Sequence, residues 1–392
     1  MSVLIEGSFL KIAYIVNEDI TKNCGVVQKI RSQISVWKNH GHEVKVFSLS
    51  ATGTVSLLEN GVIVGRKVPS WGVEKLLGYF KRTRRLRNKL HGYNPDVIFM
   101  RHIIYFPFTV SILKKCAPYI VELNTNDVND FRRRFKIYSV YNVFTRGLLL
   151  GNAAGYVSVS YELRDDADFS KYKKPTVVIG NGIDIKSIDK KEKSDVDPKQ
   201  PLQAVFIGSA KLQFWHGLDK LVYLASKLDD VVFHIIGPTM EDMINVDPGV
   251  KNINNIRCHG YLDEERAQGI VKKCDVGIST LSLYLNGMEE ASPLKSRQYL
   301  AQGIPIIVGY KDTDLSCYER PFILNIGNYE KNVEDNLGLI KEFILHSREF
   351  DTEEIQVFAQ DHLDSEVKEC KRLNFFQKIL DTKKCVPRKY KS

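Results

Sequence analysis

One short segment, residues 287–309 (GMEEASPLKSRQYLAQGIPIIVG), combines a carboxylate with the start of a helix and the entry to a strand. Ser292 is a good N-cap and Pro293 suits the first helical position, so the spacing predicts a helix that runs to Ala301. A helix start presents unpaired N–H groups and the positive end of a dipole, which suits an anion such as a diphosphate. Glu290 precedes it and is placed to hold a neutral or cationic group beside the phosphates. An ordinary capped helix packed on a sheet fits the segment equally well.

The composition limits the class of protein. Apolar residues make up 43% of the 392 residues and charged residues 26%, as in a globular enzyme or binding protein, and the length favours two domains. No apolar run reaches about 18 residues and no basic stretch opens the chain, so neither a transmembrane helix nor a signal peptide is expected. The seven cysteines are scattered without a C-x-x-C pair. They predict a reducing, cytoplasmic location, without a zinc site or a disulfide framework.

The positive charge is concentrated in the first half of the chain. Net charge is +9: residues 1–186 contain 28 Lys and Arg against 15 Asp and Glu, and residues 187–392 contain 28 against 32. Two basic runs stand out, KRTRRLRNK (81–89) and FRRRFK (131–136). They fit either an anionic surface, such as the inner membrane face, or the solvated faces of ordinary helices. No nucleic-acid-binding signature accompanies them, so no nucleic-acid partner is expected.

Short β-rich runs alternate with helical patterns twice along the chain. This alternation predicts two successive α/β domains with parallel sheets, with a ligand where the carboxyl ends of the strands face each other. We expect the first domain at 1–186, a charged linker at 187–201, the second domain at 202–362 and a helix at 363–392 that crosses back to the first.

Several motifs in a fixed order resemble those of one enzyme family. They are GHEVKVFSL (41–49), IGNGIDI (179–185), FIGSAKLQFWHGLDKLV (206–222), HIIGP (234–238), HGYLDEE (259–265), CDVGIST (274–280) and the SPLK segment at 292–295. Together they resemble the retaining, nucleotide-sugar-dependent glycosyltransferases of family 4. The resemblance implies the GT-B fold, in which two Rossmann-like parallel-sheet domains face each other across a cleft. It also implies a nucleotide sugar as donor, with no cofactor and no metal.

The resemblance assigns donor-binding roles in the second half of the chain. The family carries two glutamates separated by seven residues, the first against the donor sugar and the second on the ribose. Here Glu290 stands at the first position and Gln298 at the second, and an amide can still bond a diol, with less strength than a carboxylate. The backbone from Ala291 to Leu294 would meet the diphosphate. The backbone around Tyr261 and Leu262 would form the base pocket.

A second departure concerns the basic pair that the family places after the first strand of this domain. Here that strand ends at Gly208. Before Gly217, Lys211 is the one side chain that is fully positively charged at neutral pH. We expect Lys211 to bind the diphosphate, with His216 as a second donor whose charge depends on pH. A solvated loop lysine is the alternative for Lys211.

A third departure lies in the first half. Asn124 replaces a histidine that many members carry near the sugar; it can hold a hydroxyl but cannot act as a base. Front-face retaining transfer can instead use the leaving phosphate to take the acceptor's proton. Glu122, in the same strand, is expected to point away from it. Gly25 matches the family's glycine loop beside the donor. Arg101 and His102 end another strand and could contact acceptor or phosphate, although a structural histidine is as plausible.

Three function classes remain at this stage. The leading hypothesis is transfer of a hexosyl group to a glycan or a lipid-linked saccharide in bacterial-type polysaccharide or glycoconjugate synthesis. The alternative is a non-catalytic, transferase-like subunit that binds nucleotide or glycan, which the replacements at 124 and 298 favour. A nicotinamide-dependent oxidoreductase is disfavoured because no G-x-G-x-x-G follows the first strand. The D-x-D strings at 195–197 and 312–314 lie away from the place where a metal-dependent sugar transferase would need one.

Overall fold

The structure is a computed structural model. It describes residues 8–20, 25–49, 61–63, 73–129, 136–191, 200–208 and 213–384; within these ranges, the side chains of 61–63, 73–79, 136–138 and 383–384 are left out. Three features named above therefore lie outside the described residues. They are Lys211, the arginines of the 131–136 run, and positions 192–199 of the expected linker with its D-x-D string.

The chain divides into two compact units. Unit 1 comprises residues 1–180 and 366–392, and unit 2 comprises residues 181–365. The last helix belongs to unit 1, because its apolar side chains pack into the core of that unit, as the contact of Phe376 with Trp37 shows.

The passage between the units differs from the expected linker at 187–201. Asn181 already belongs to unit 2, where its backbone N–H donates to Ser292 Oγ at 2.7 Å. Further on, Lys191 Nζ donates to the Cys274 carbonyl at 2.6 Å. A charged sequence with few apolar residues identifies segments that form no core of their own, but it carries no information on which unit they bond to.

Unit 1 is built on seven parallel strands in the order β3-β2-β1-β4-β5-β6-β7. The strands are β1 (Lys11–Val16), β2 (Glu43–Ser48), β3 (Gly61–Ile63), β4 (Val97–Arg101), β5 (Tyr119–Leu123), β6 (Gly155–Ser158) and β7 (Thr176–Val178). The helices are α1 (Gly25–Asn39), α2 (Val73–Tyr93), α3 (Thr109–Cys116), α4 (Lys136–Leu150), α5 (Tyr161–Asp165) and α6 (Ala167–Ser170).

A cluster of aromatic side chains packs α1 and the last helix against the sheet of unit 1. The ring of Trp37 lies 5.5 Å from Tyr14, 5.8 Å from Phe99 and 5.7 Å from Phe376 between centroids. The indole N–H donates to Glu369 at 2.9 Å, so its polar group is satisfied inside the core. Each such buried aromatic contributes about 1.5–3 kcal/mol by leaving water.

Unit 2 has a six-stranded parallel sheet in the order β10-β9-β8-β11-β13-β15 and a separate two-stranded pair, β12-β14. The strands are β8 (Leu202–Ile207), β9 (Val231–Ile236), β10 (Ile256–Gly260), β11 (Val276–Ile278), β12 (Glu290–Ala291), β13 (Ile306–Val308), β14 (Lys311–Asp312) and β15 (Ile323–Asn325). The helices are α7 (Leu218–Lys227), α8 (Met240–Val246), α9 (Glu264–Val271), α10 (Leu294–Gln302), α11 (Asn332–Asp335), α12 (Leu337–Leu345) and α13 (Thr352–Leu363); α14 (Ser365–Lys384) then returns to unit 1.

Both large sheets reverse their strand order at one place, between β1 and β4 in unit 1 and between β8 and β11 in unit 2. In parallel sheets this reversal leaves a crevice at the carboxyl ends of the strands, where ligands bind. The α/β class with two Rossmann-like parallel sheets is therefore confirmed. No helix in the described ranges is both long and apolar enough to cross a membrane.

Tight packing fixes α10 against the reversal point of unit 2. The Tyr299 hydroxyl accepts the Ile207 N–H at 2.8 Å, and its ring lies on the backbone of Gly277. A Cβ at Gly277 would stand 2.3 Å from that ring, so only glycine permits this contact. The side chain thus joins α10 to β8 and β11 together.

Candidate functional site

The start of α10 is uncapped. The helix begins at Leu294, and Pro293 is the N-cap with no side-chain hydrogen bond. The prediction of Ser292 as the N-cap was wrong, because its hydroxyl accepts the backbone N–H of Asn181 instead. Proline has no side-chain acceptor, so the first N–H groups of α10 keep their capacity to bind an anion.

A buried arginine holds the turn in front of α10. Arg297 makes a bidentate ion pair with Asp312 and a second pair with Asp314 at 2.8 Å. Its guanidinium also donates to the carbonyls of Asn181 and Pro293, at 3.2 and 3.4 Å. Burial by itself would lower the pKa of Arg297, but the two carboxylates raise it well above its ordinary value. The D-x-D string at 312–314 therefore serves to clamp Arg297.

Glu290 lies directly before this turn. Its side chain is 2% exposed, and β12 pairs it in parallel with Lys311 of β14. Gln298, the residue eight positions later, lies on the second turn of α10 and is partly exposed. The structure thus brings Glu290 and the first turn of α10 into one continuous segment, with Gln298 one turn further along the helix.

The segment after β8 approaches the same edge of the sheet. It ends in a short 3₁₀ turn, Phe214–His216, followed by Gly217 with a φ of 75°. A Cβ at Gly217 would stand 2.9 Å from Leu281 Cβ, so glycine is required for the close approach. The His216 carbonyl accepts the Leu281 N–H at 3.2 Å, and this bond ties the turn to the end of β11.

His216 is a neutral side chain. Burial, with a smaller contribution from the charge of Lys295, lowers the pKa of His216 to about 2. Its ring lies edge-on to Phe206 at 5.6 Å between centroids. The expectation that its charge would change near neutral pH was therefore wrong, because an imidazole in this apolar setting stays unprotonated.

Lys295 is a residue of this segment to which the sequence reasoning assigned no role. It is the second residue of α10, and its Nζ lies 3.9 Å from the centroid of the Phe206 ring. This Nζ is buried and has no hydrogen-bond partner within the described ranges. Burial lowers the pKa of Lys295 to about 7. The available signal was a lysine in the first turn of a helix with a proposed anion site.

The two residues that are expected to form the base pocket lie at the same edge of the sheet. Tyr261, which is 61% exposed, and Leu262 directly follow β10. The edge is continuous, because the N–H of Gly237 donates to the Gly260 carbonyl and the N–H of Gly208 to the Ile236 carbonyl, both at 2.8 Å. Since all six strands are parallel, their carboxyl ends meet there, so the described donor residues of unit 2 lie along one edge of its sheet.

A buried charge cluster occupies the carboxyl ends of β4 and β5 in unit 1. Glu122 is completely buried and pairs with Lys29 at 2.8 Å, Arg101 at 3.6 Å and Arg372 at 3.9 Å. Burial would raise the pKa of Glu122, but the three cations lower it well below its ordinary value. Asn124 donates to Glu122 at 3.2 Å and accepts from Lys29 at 3.3 Å. The prediction that Glu122 points away was wrong, because residues two apart share a face of a strand.

The other two candidate residues of unit 1 are His102 and Gly25. Burial lowers the pKa of His102, and its Nε2 is buried without a hydrogen-bond partner among the residues described. It neighbours the ion pair of Asp127 with Arg146, an environment typical of a structural histidine. Gly25 is the exposed first residue of α1, and the residues before it, 21–24, are outside the described ranges.

Comparison with known proteins supports the resemblance. Residues 25–187 match the model of Glycosyltransferase Family 4. No curated protein is significantly similar in sequence. Among solved structures, sucrose-phosphate synthase from Thermosynechococcus elongatus superposes with a TM-score of 0.72 at 14% identity, covering 95% of this chain and 99% of its own. A glycosyltransferase from Rickettsia africae gives a TM-score of 0.66 at 14% identity, covering 95% and 99%. HepE of Anabaena, in complex with UDP and glucose, gives 0.66 at 13% identity, covering 93% and 98%.

Residues 25–187 therefore resemble Glycosyltransferase Family 4, and the whole chain has the fold of these solved structures, the GT-B fold. At these identities the solved structures establish the fold alone. The donor, the acceptor and the mechanism must therefore be argued from the residues of this chain.

Proposed function

We propose that the protein is a retaining, metal-independent glycosyltransferase. It transfers a hexosyl group from a nucleoside diphosphate sugar to a glycan or a lipid-linked saccharide, in bacterial-type polysaccharide or glycoconjugate synthesis. One observation carries the proposal: the buried carboxylate of Glu290 lies directly before the uncapped start of α10, at the strand reversal of unit 2. The complex of HepE with UDP and glucose supports a nucleotide sugar as donor.

Each part of the segment has a distinct role in this proposal. Glu290 binds the hexose, and the N–H groups at the start of α10 stabilise the charge that develops on the departing diphosphate. Arg297 keeps the turn between them rigid. The leaving phosphate takes the proton of the acceptor hydroxyl, and no cofactor takes part.

Substitution of Glu290 tests the proposal, with its exposed neighbour Glu289 as a matched control. UDP-, GDP- and ADP-sugars are first compared by thermal shift, since a ligand of the native state raises the unfolding temperature. With the best donor, Glu290→Ala should lower release of nucleoside diphosphate by about 100-fold or more, while nucleoside diphosphate affinity changes little. Glu289→Ala should retain activity. Wild-type turnover in Glu290→Ala contradicts the proposal.

A non-catalytic subunit is the second candidate. Two observations favour it: Gln298 replaces the second glutamate, and the Asn124 amide is already bonded to Lys29 and Glu122. The two candidates differ in turnover. If a nucleotide sugar stabilises the wild-type protein yet releases no nucleoside diphosphate with any glycan or lipid-linked acceptor, the binding role is supported.

Peripheral membrane association is a further part of the proposal. The exposed basic residues of α2 lie near α3, which contacts both α2 and α4. The apolar side chains of α4 that face solvent include Phe144 at 81% exposure and Val140 at 59%. Cations on α2 and apolar groups on α4, two helices that both contact α3, suit an anionic bilayer, where each cation contributes about 1 kcal/mol.

Co-sedimentation with vesicles tests the membrane contact. The protein should pellet with anionic but not with neutral lipid, and high salt should release it because charge attraction is screened. A variant with Arg84 and Arg87 changed to Gln, or a Phe144→Asp variant, should bind less. Arg164→Gln is the control, because this exposed arginine already pairs with Asp165 at 2.7 Å. Pelleting that does not depend on anionic lipid refutes the membrane contact.

A further inference from the structure

Several lysines in the described ranges have a buried ammonium group, and they differ in how its charge is satisfied. Lys220 Nζ donates to the carbonyls of Leu281 and Tyr329, at 3.1 and 3.0 Å, and to Asn332 at 2.6 Å. Lys29 likewise pairs with Glu122 at 2.8 Å. In both cases the fold supplies acceptors, as buried cations require.

Lys295 has no such acceptor. Its buried Nζ has no hydrogen-bond partner among the described residues, and it lies 3.9 Å from the centroid of the Phe206 ring. The titratable side chain of His216 lies near it from the turn after β8, and its imidazole is neutral. No carboxylate of the described part contributes to its electrostatic environment. A cation in this position therefore lacks an anionic partner within the described ranges.

The position of Lys295 indicates which kind of anion would pair with it. It lies in the first turn of α10, where the helix N–H groups lack a cap, beside the end of β8 at the strand reversal. A phosphate group bound to those N–H groups would supply the missing acceptor at short range. We infer that Lys295 is a cation that binds the diphosphate of the donor, in addition to the contact expected of Lys211, and that it makes up for the incomplete basic pair after β8. This inference rests on the proposed function.

The inference predicts that phosphate binding and protonation of Lys295 are coupled. In the protein without ligand, the pKa of Lys295 is about 7. An adjacent phosphate raises this pKa because the charged form gains a partner. Above pH 7 the protein must therefore take up a proton when it binds. Affinity then falls up to about tenfold for each pH unit until the pKa of the complex is reached.

Titration calorimetry with UDP, GDP and ADP at pH 7, 8 and 9 tests the inference, using the nucleotide that binds best. Wild-type affinity should fall about tenfold from pH 8 to pH 9. Lys295→Met, which keeps the length of the side chain, should lose about tenfold in affinity at pH 7 and lose the pH dependence. Lys295→Arg stays charged and should give a flat profile. The exposed Lys251, which precedes β10, is the control, and Lys251→Met should behave as wild type. Thermal unfolding verifies that each variant is folded.

The outcomes separate this inference from the proposed function. If Lys295→Met binds the nucleotide as tightly as wild type with the same pH dependence, another cation binds the diphosphate, and the inference fails while the proposed function stands. If wild type binds no nucleoside diphosphate at any pH, both fail. A wild-type affinity that does not change between pH 7 and 9 also overturns the inference.

Discussion

Replacing the buried Arg297 should lower the unfolding free energy of unit 2 more than replacing an exposed arginine of the same unit. Its guanidinium pairs with Asp312 and Asp314 and donates to two backbone carbonyls, all inside the protein. Arg297→Met retains most of the side-chain volume but leaves the two aspartates without their cation. Breaking one buried ion pair in this way costs about 3–5 kcal/mol of unfolding free energy. For a unit of this size, that corresponds to a fall of about 6–20 °C in unfolding temperature.

Differential scanning calorimetry measures the effect, with Arg320→Met as the matched control. Arg320 pairs with Glu354 at 3.9 Å on the surface of the same unit, so its replacement should cost about 0–1 kcal/mol. The double variant Arg297→Met with Asp312→Asn should recover part of the loss, because one uncompensated charge is removed. If Arg297→Met lowers the unfolding temperature no more than Arg320→Met does, the clamp on the donor segment is not a stabilising contact.

Three further predictions concern the other assigned residues. Gln298→Glu should strengthen nucleotide-sugar binding in calorimetry if the ribose lies at this position, and an unchanged affinity would contradict that role. Lys211→Ala should lower nucleoside diphosphate affinity by about 1–3 kcal/mol through loss of a charge-assisted contact; no change in the dissociation constant would identify a surface lysine. Glu122→Gln should cost about 3 kcal/mol of unfolding free energy at pH 7, since it leaves cations such as Lys29 buried without their counter-charge. Because the pKa of Glu122 is lowered on folding, its contribution is complete above its ordinary value of 4.5 and is lost as pH falls below it, so urea unfolding of wild type and variant should converge in acid.

The regular elements could be predicted because their signals are local. Runs such as KIAYIV and VIFMR are mostly apolar strands buried on both faces, and the helices between strands carry apolar residues at helical spacing. The strands of two residues, β12 and β14, were not predicted. Such short strands have no periodicity, and they exist because the turn before α10 packs beside the end of β13.

The sequence by itself determined the α/β class, the two sheets, and the segment that carries Glu290 and the start of α10, because patterns within a few residues of each other encode them. Tertiary structure decided the ionisation and the partners of individual side chains. It made His216 neutral, paired Asp312 with Arg297, and buried the ammonium of Lys295 without an acceptor in the part of the chain that the structure describes. These properties depend on burial and on residues that are distant in sequence, and they become defined only when the folded chain excludes water and brings the groups together.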